Sequence, residues 1–209
     1  MQKLLFAVIA IIVAVGVIFT MARGTLRRVQ ADRAQRLFLA LAQELKLQVD
    51  FSARWGELPL PIATGNLEGS PVRVESRLHR AKLPWHVRTH VEATRRDKAG
   101  PVGVIGQPER IKAPAGATEL RLTDAKGRTL RVHTTDVHVL EDALDADLVQ
   151  ELIDLCTPGR GLVLHQDRVE YVDAPVTSDA HRAHVERVAR VAAKVARRLQ
   201  TRIPKAAVE

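Results

Sequence analysis

The sequence predicts an α+β fold: an N-terminal transmembrane helix, then a small antiparallel β-sheet domain with two or three packing helices. Three observations lead there. Leu4 to Met21 is a run of 18 residues without charge or proline. Period-two alternation recurs in the middle of the chain, which argues half-buried antiparallel strands. Spacings of three and four between apolar residues return near the C-terminus, which argues amphipathic helices.

As a helix, the first run would be about 27 Å long, close to the roughly 30 Å of a hydrocarbon core. It is longer than the apolar region of an ordinary signal peptide and is followed by Arg23, Arg27 and Arg28 rather than by a small-x-small cleavage site. It therefore reads as a retained single-pass anchor over residues 1–24. The basic residues that follow it outnumber those before it, which places the rest of the chain in the cytoplasm by the positive-inside rule.

A helix is expected from Arg27 to Leu47, with Ala34, Leu37, Phe38, Leu41 and Leu45 on one face. Two heptads are too few for a coiled coil, so this juxtamembrane segment, 25–49, is expected to pack on the domain that follows it, 50–200. Pro59 and Pro61 exclude a central strand. Gly65 to Gly69 reads as a turn. Pro71 to Leu78 and His86 to Ala93 alternate as strands, and Thr94 to Gly103 reads as a loop. Thr118 to Leu122 and Thr129 to Thr134 form a hairpin across Asp124 to Gly127. Leu144, Leu148, Leu152 and Leu155 predict one helix from Asp142 to Cys156. Leu162 to Leu164 and Val169 to Val172 form the last strand pair.

Ser178 or Asp179 caps the final helix. In it Val185, Val188, Val191, Ala192, Val195 and Leu199 fall within one arc, with Arg182, Arg187, Arg190, Lys194, Arg197 and Arg198 opposite. The last residues, 201–209, read as a disordered tail.

The formal net charge is +8, but it is unevenly spread. Leu58 to Thr177 holds 16 basic and 17 acidic residues, whereas Ser178 to Glu209 holds 8 basic and 3 acidic. A neutral middle argues against nucleic acid as a partner. The basic stripe of the last helix suits an anionic lipid surface instead, with Arg187, Arg190, Lys194 and Arg197 as its binding residues. The expected partners are therefore the lipid bilayer and another membrane or cytoplasmic protein.

Catalytic and cofactor signatures are absent: no phosphate-binding loop, no dinucleotide fingerprint, no His-Glu-x-x-His and no Cys-x-x-Cys. Gly103-Val104-Ile105-Gly106 fits the Gly-x-x-Gly of KH modules but lacks the two helices which that loop joins. His86 and His90 share a strand face but would stand about 13 Å apart, too far to chelate one ion. His181 and His184 have a helical spacing that can serve a metal, yet no acidic segment is seen to face them, and His181, inside the apolar arc, is expected to be packed and hydrogen-bonded. No metal or cofactor is expected. Cys156 sits among Leu152, Ile153 and Leu155 and reads as a buried, inert thiol. The acids Glu141, Asp142, Asp145, Asp147, Glu151 and Asp154 read as a solvated helix face able to pair with the basic terminal helix.

The order of these elements, with Gly65, Gly69 and Val72 as a Gly-x-x-x-Gly-x-x-Val opening of the β-rich part, resembles uncharacterised bacterial single-pass membrane proteins. That resemblance implies no activity. The function expected from the residues is a membrane-anchored, non-enzymatic interaction or structural module. Two alternatives stand beside it. One is a membrane-tethered enzyme, which would need a pocket lined by several of His133, His138, His165 and the acids at 141–154. The other is a basic-helix binder of membrane surface or nucleic acid.

Overall fold

The computed structural model describes residues 32–51, 54–55, 58–79, 86–95, 100–107, 112–156 and 159–202. The described residues open with helix α1, residues 32–44, followed by β1 (Gln48–Asp50), β2 (Arg54–Trp55), β3 (Leu58–Pro59), β4 (Ile62–Leu67), β5 (Ser70–His79) and β6 (His86–Thr94). Then come β7 (Gly103–Gly106), β8 (Thr118–Thr123), β9 (Thr129–Thr134), α2 (Val137–Ala143), α3 (Ala146–Leu155), β10 (Gly161–Leu164), β11 (Arg168–Asp173) and α4 (Asp179–Arg202).

Nine strands form one antiparallel sheet in the order β1-β4-β5-β6-β11-β10-β7-β9-β8, and β2 pairs with β3 separately. Period-two alternation gives the sheet two distinct faces. Val72, Val74, Val91, Ala93, Val169, Tyr171, Ile105 and Val132 lie buried on one face. Cross-strand pairs Val74↔Val91, Val91↔Tyr171 and Ile105↔Val132 keep that face continuous from strand to strand. α4 crosses this face against β5, β6 and β11, and α2 and α3 pack on α4. The arc expected from the sequence is the buried one: Val185, Val188, Val191, Ala192, Val195 and Leu199 are all sealed, with Ala189, Ala193 and Ala196 widening the stripe. Phe38 and Leu41 of α1, with Leu45 just beyond its end, join the same core cluster, so this helix packs on the sheet domain although it ends before the expected Leu47.

The expected fold class needs correction. The sheet is not small but has nine strands, and four helices accompany it. Among the described residues no helix is long and apolar enough to cross a membrane. The longest helix among the described residues, α4, carries a charged face along its length and spends its apolar face on the sheet. The expectation of a transmembrane helix, and with it of a single-pass membrane protein, is therefore not upheld by the fold; residues 4–21, which prompted it, lie outside the described residues, and of the expected tail 201–209 the first two residues end α4 while 203–209 lie outside the described residues.

Smaller differences have local causes. The helix expected over Asp142 to Cys156 is two helices, because Asp145 accepts from Leu148 N–H and caps a fresh start after Leu144 leaves the helical region. The expected turn at Gly65 to Gly69 narrows to Glu68 and Gly69, both at positive φ, while Gly65 to Leu67 pair with Ser70 to Val72. Gly103 to Gly106, within and beyond the expected loop, is β7, buried at every position between β10 and β9.

Gly106 shows why the end of β7 must be glycine. Its φ is 84°, and a Cβ there would stand 2.8 Å from Cys156 Cβ and 3.0 Å from the Arg160 carbonyl oxygen. Gly127 has a similar φ of 76° in the open β8–β9 turn, with nothing within 4 Å of its would-be Cβ. Gly127→Ala should cost about 1 kcal/mol, the strain of a left-handed alanine, and Gly106→Ala about 2 kcal/mol or more. Urea unfolding of the two variants checks this; equal costs would mean that the approach of Cys156 and Arg160 to Gly106 is not tight.

Candidate functional site

Two clusters of ionisable side chains form where the sheet meets its surroundings. The first joins the end of β11 to the first turns of α4. Ser178 caps α4 by accepting from His181 N–H at 3.2 Å, which sets His181 and His184 over the strand end. Tyr171 and Asp173, two apart on β11, point to the same side. Tyr171 Oη donates to Asp173 Oδ2 at 2.7 Å and lies 2.8 Å from His184 Nε2. With the phenol proton given to Asp173, His184 Nε2–H donates to the phenol oxygen. His181 Nε2 and the Arg160 guanidinium reach the same Asp173 oxygen at 3.2 Å and 3.3 Å. Ala174 N–H donates to the other at 2.7 Å.

The electrostatics follow from that geometry. Burial works to raise the Asp173 carboxyl, but the Tyr171 hydrogen bond, Ala174 N–H and the Arg160 charge outweigh it and hold it below the usual range. Burial, reinforced by Asp173, pushes the Tyr171 phenol up, so it stays protonated. Burial pushes His184 down, and the Arg160 charge pushes the same way. Cys156 is close by; burial raises its thiol to about 12, against a smaller opposing effect of Leu162 N–H. This favours the protonated thiol at neutral pH; Cys156 packs against the core but is partly rather than fully buried.

The second cluster lies on the other face of the sheet. Glu170 on β11 sits between His90 Nδ1 at 3.2 Å and His165 Nε2 at 2.9 Å. The His90 hydrogen bond lowers its carboxyl, burial opposes this, and His165 adds to it, leaving Glu170 at about 2. Glu75, in register with His90, is buried and takes ion pairs from Arg73 and Arg77. Arg77 also reaches Glu92 at 2.9 Å.

A cavity of about 510 Å³ opens between α3 and α4, lined by Glu68, Asp145, Asp147, Leu148, Glu151, Lys194, Arg197 and Arg198. Lys194 Nζ bonds both Glu151 oxygens at 2.6 Å and 2.9 Å, and Arg198 reaches Asp145 at 2.6 Å. Arg197 donates to the Glu68 carbonyl at 3.3 Å. Of the four residues singled out for a lipid surface, Lys194 and Arg197 are thus bonded within the fold, Arg190 pairs with Glu186 at 3.0 Å one turn away, and Arg187 is exposed. Of the acids singled out between 141 and 154, Glu151 and Asp145 pair with the basic helix, whereas Asp154 pairs with Arg128 ahead of β9.

Of the residues that an enzyme reading required, the cavity gathers the acids Asp145, Asp147 and Glu151 but not His133, His138 or His165. His165 is with Glu170, His138 is almost wholly exposed on α2, and His133 faces Val104 and Glu119 in register on β9. Among the described residues no histidine lines the cavity. His181 is packed and hydrogen-bonded as expected; His184 is bonded too, to Tyr171, and a carboxylate not expected there, Asp173, faces both with Arg160 beside it. Among the described residues no three His, Cys, Asp or Glu side chains are arranged to hold a metal ion.

Sequence reasoning passed over Tyr171, Asp173, Arg160, Glu170 and Glu75. A signal existed for the first two: Tyr171 is the single tyrosine of the chain, and Asp173 follows it two residues on, on the same strand face. Glu75 and Glu170 alternated with apolar residues and so looked solvated.

No protein-family model matches the chain, and no curated protein does. Among solved structures, the chain is similar to the mycobacterial trehalose monomycolate transport factor A, TtfA. The TM-score is 0.48 at 15% sequence identity, over 83% of this chain and 96% of that one. At that identity and TM-score nothing of TtfA's role carries over to this chain.

The pair of histidines on Glu170 sets a pH dependence. Its folded value of about 2 lies below the ordinary 4.5, so its contribution to stability is complete above about pH 4.5 and is lost as pH falls toward 2. Glu170→Gln should destabilise the protein by about 1–3 kcal/mol at pH 6, the worth of hydrogen bonds to a charged group. The gap to the unaltered protein should close between pH 4.5 and 2 in urea titrations; a gap independent of pH would mean that Glu170 is not held ionised by its histidines.

Proposed function

We propose that this chain is a non-enzymatic interaction or structural module that engages another protein. The observation that carries this reading is that the central carboxylates of both clusters, and Lys194 beside the cavity, are already held by partners within the fold. Asp173 accepts from Tyr171, His181, Arg160 and Ala174 N–H. Glu170 is divided between two histidines, and Lys194 is held by Glu151. A general acid or base must be able to exchange its partner for a substrate proton. Groups locked in this way instead hold elements in place: Asp173 ties β11 to α4, and Glu151 ties α3 to α4.

The surface left for a partner is the cavity between α3 and α4. Leu148 is its one apolar lining residue, and Glu68 and Asp147 add carboxylates beyond those paired with Lys194 and Arg198. Such a lining suits a polar protein segment bearing positive charge better than a small apolar ligand, whose sites are mostly apolar.

A photo-crosslinking residue at position 147, with a control at position 126 in the exposed β8–β9 turn, tests this in the native cell. The expected result is one discrete protein adduct from position 147, absent from position 126 and lost on Glu68→Lys. No adduct at 147, together with a turnover by the purified chain that Asp173→Asn abolishes, would establish the enzyme reading instead.

A further inference from the structure

The nine-stranded sheet ends on β8, which is bonded to β9 on one side and to no other strand among the described residues. Asp124 N–H donates to the Arg128 carbonyl at 3.0 Å, and this fixes the phase of the backbone along β8. Leu120 and Leu122 share that phase and turn their N–H and C=O groups to β9. Glu119, Arg121 and Thr123 have the other phase, so their N–H and C=O groups point out from the sheet's edge. The phase across β9 agrees, since Thr135 N–H donates the opposite way, to Val102 next to β7. An unpaired row of this kind is a template for another strand.

The side chains say which strand. Glu119 and Arg121 lie exposed on the face away from the helices, while Leu120 and Leu122 pack against the core on the other face. Arg121 stands directly opposite Arg131 of β9, a like-charge pair, and its bond is to Glu119 two residues back at 2.8 Å.

We infer that β8 is the interface with a second copy of this chain, the two strands pairing antiparallel about a two-fold axis at Leu120. The backbone phase permits Glu119 to face Glu119 of the second copy, Arg121 to face Arg121, or Glu119 to face Arg121. The first two oppose like charges. The third forms two ion pairs at once and sets Leu120 against its own counterpart on the helix side. It also gives each Arg121, crowded by Arg131, a carboxylate on its open side. The contact is isologous and closes as a dimer, joining two sheets into one. A ladder centred on Leu120 runs over five residues of β8, Thr118 to Leu122, so the interface is small and association is weak and reversible.

Sedimentation equilibrium of the full chain up to about 100 μM tests the inference, within the concentration range where weak complexes form. The expected result is a monomer–dimer equilibrium. Arg121→Glu makes the edge acidic and Glu119→Arg makes it basic; each should weaken self-association about tenfold or more. Mixed together, these two variants should form a one-to-one heterodimer, and the double exchange E119R/R121E should restore the homodimer. Arg121→Pro removes an N–H that the chain's own sheet does not use, so it should leave a folded monomer by circular dichroism. A native chain that is monomeric throughout, variants that dimerise as the native chain does, or a mixture that fails to associate would each overturn the inference.

Discussion

The seating of α4 on the sheet is the contact on which the other contacts depend. The chain has few aromatic residues, and the core is filled by Val, Leu and Ala. No single large side chain can hold the layers together, so continuity of a long stripe must do so. Val185 to Leu199 supply that stripe, and alanines at 189, 192, 193 and 196 let the helix backbone come close to the strands. The closeness is visible in Ser70, buried at the start of β5, whose hydroxyl donates to the Ala193 carbonyl at 3.2 Å. From this seat α4 places His181 and His184 over Asp173, Lys194 beside Glu151, and Arg182 against Glu44 of α1. Each charged contact is short because the apolar face has already fixed the helix.

That arrangement also resolves the uneven charge. The C-terminal segment carries 8 basic residues against 3 acidic, and the acids between 141 and 154 have no basic residue among them. Folding brings the two together along α3 and α4. A basic stripe that looks available in the linear sequence is largely consumed inside the molecule, and the surface that remains between the helices carries both signs.

Much of the architecture was legible because its periodicities are local. The alternations of β5, β6, β8, β9 and β11 and the wheel of α4 each follow from side-chain geometry within one element. What was not legible depended on neighbours. β7 is buried on both faces, so it shows no alternation, and its two glycines look like a loop until β9, Cys156 and Arg160 are seen pressing on them. The Leu144, Leu148, Leu152 spacing runs across the break at Asp145, because a cap interrupts the hydrogen bonding without disturbing the spacing. The clusters on Asp173 and Glu170 draw on residues as far apart as His90 and Glu170, paired only by the order β6-β11. Sheet size was underestimated for the same reason: β1, β4 and β7 are strands by virtue of their partners.

Amide hydrogen exchange under native conditions tests most directly whether α4 holds the sheet. If it does, the amides of residues 188–199 and those of β6 and β11 should exchange through one opening, with the free energy of global unfolding, since the helix cannot leave without exposing the strands beneath it. Exchange from α4 at a much lower free energy, with β6 and β11 still protected, would show that the sheet stands without the helix and would contradict its central place.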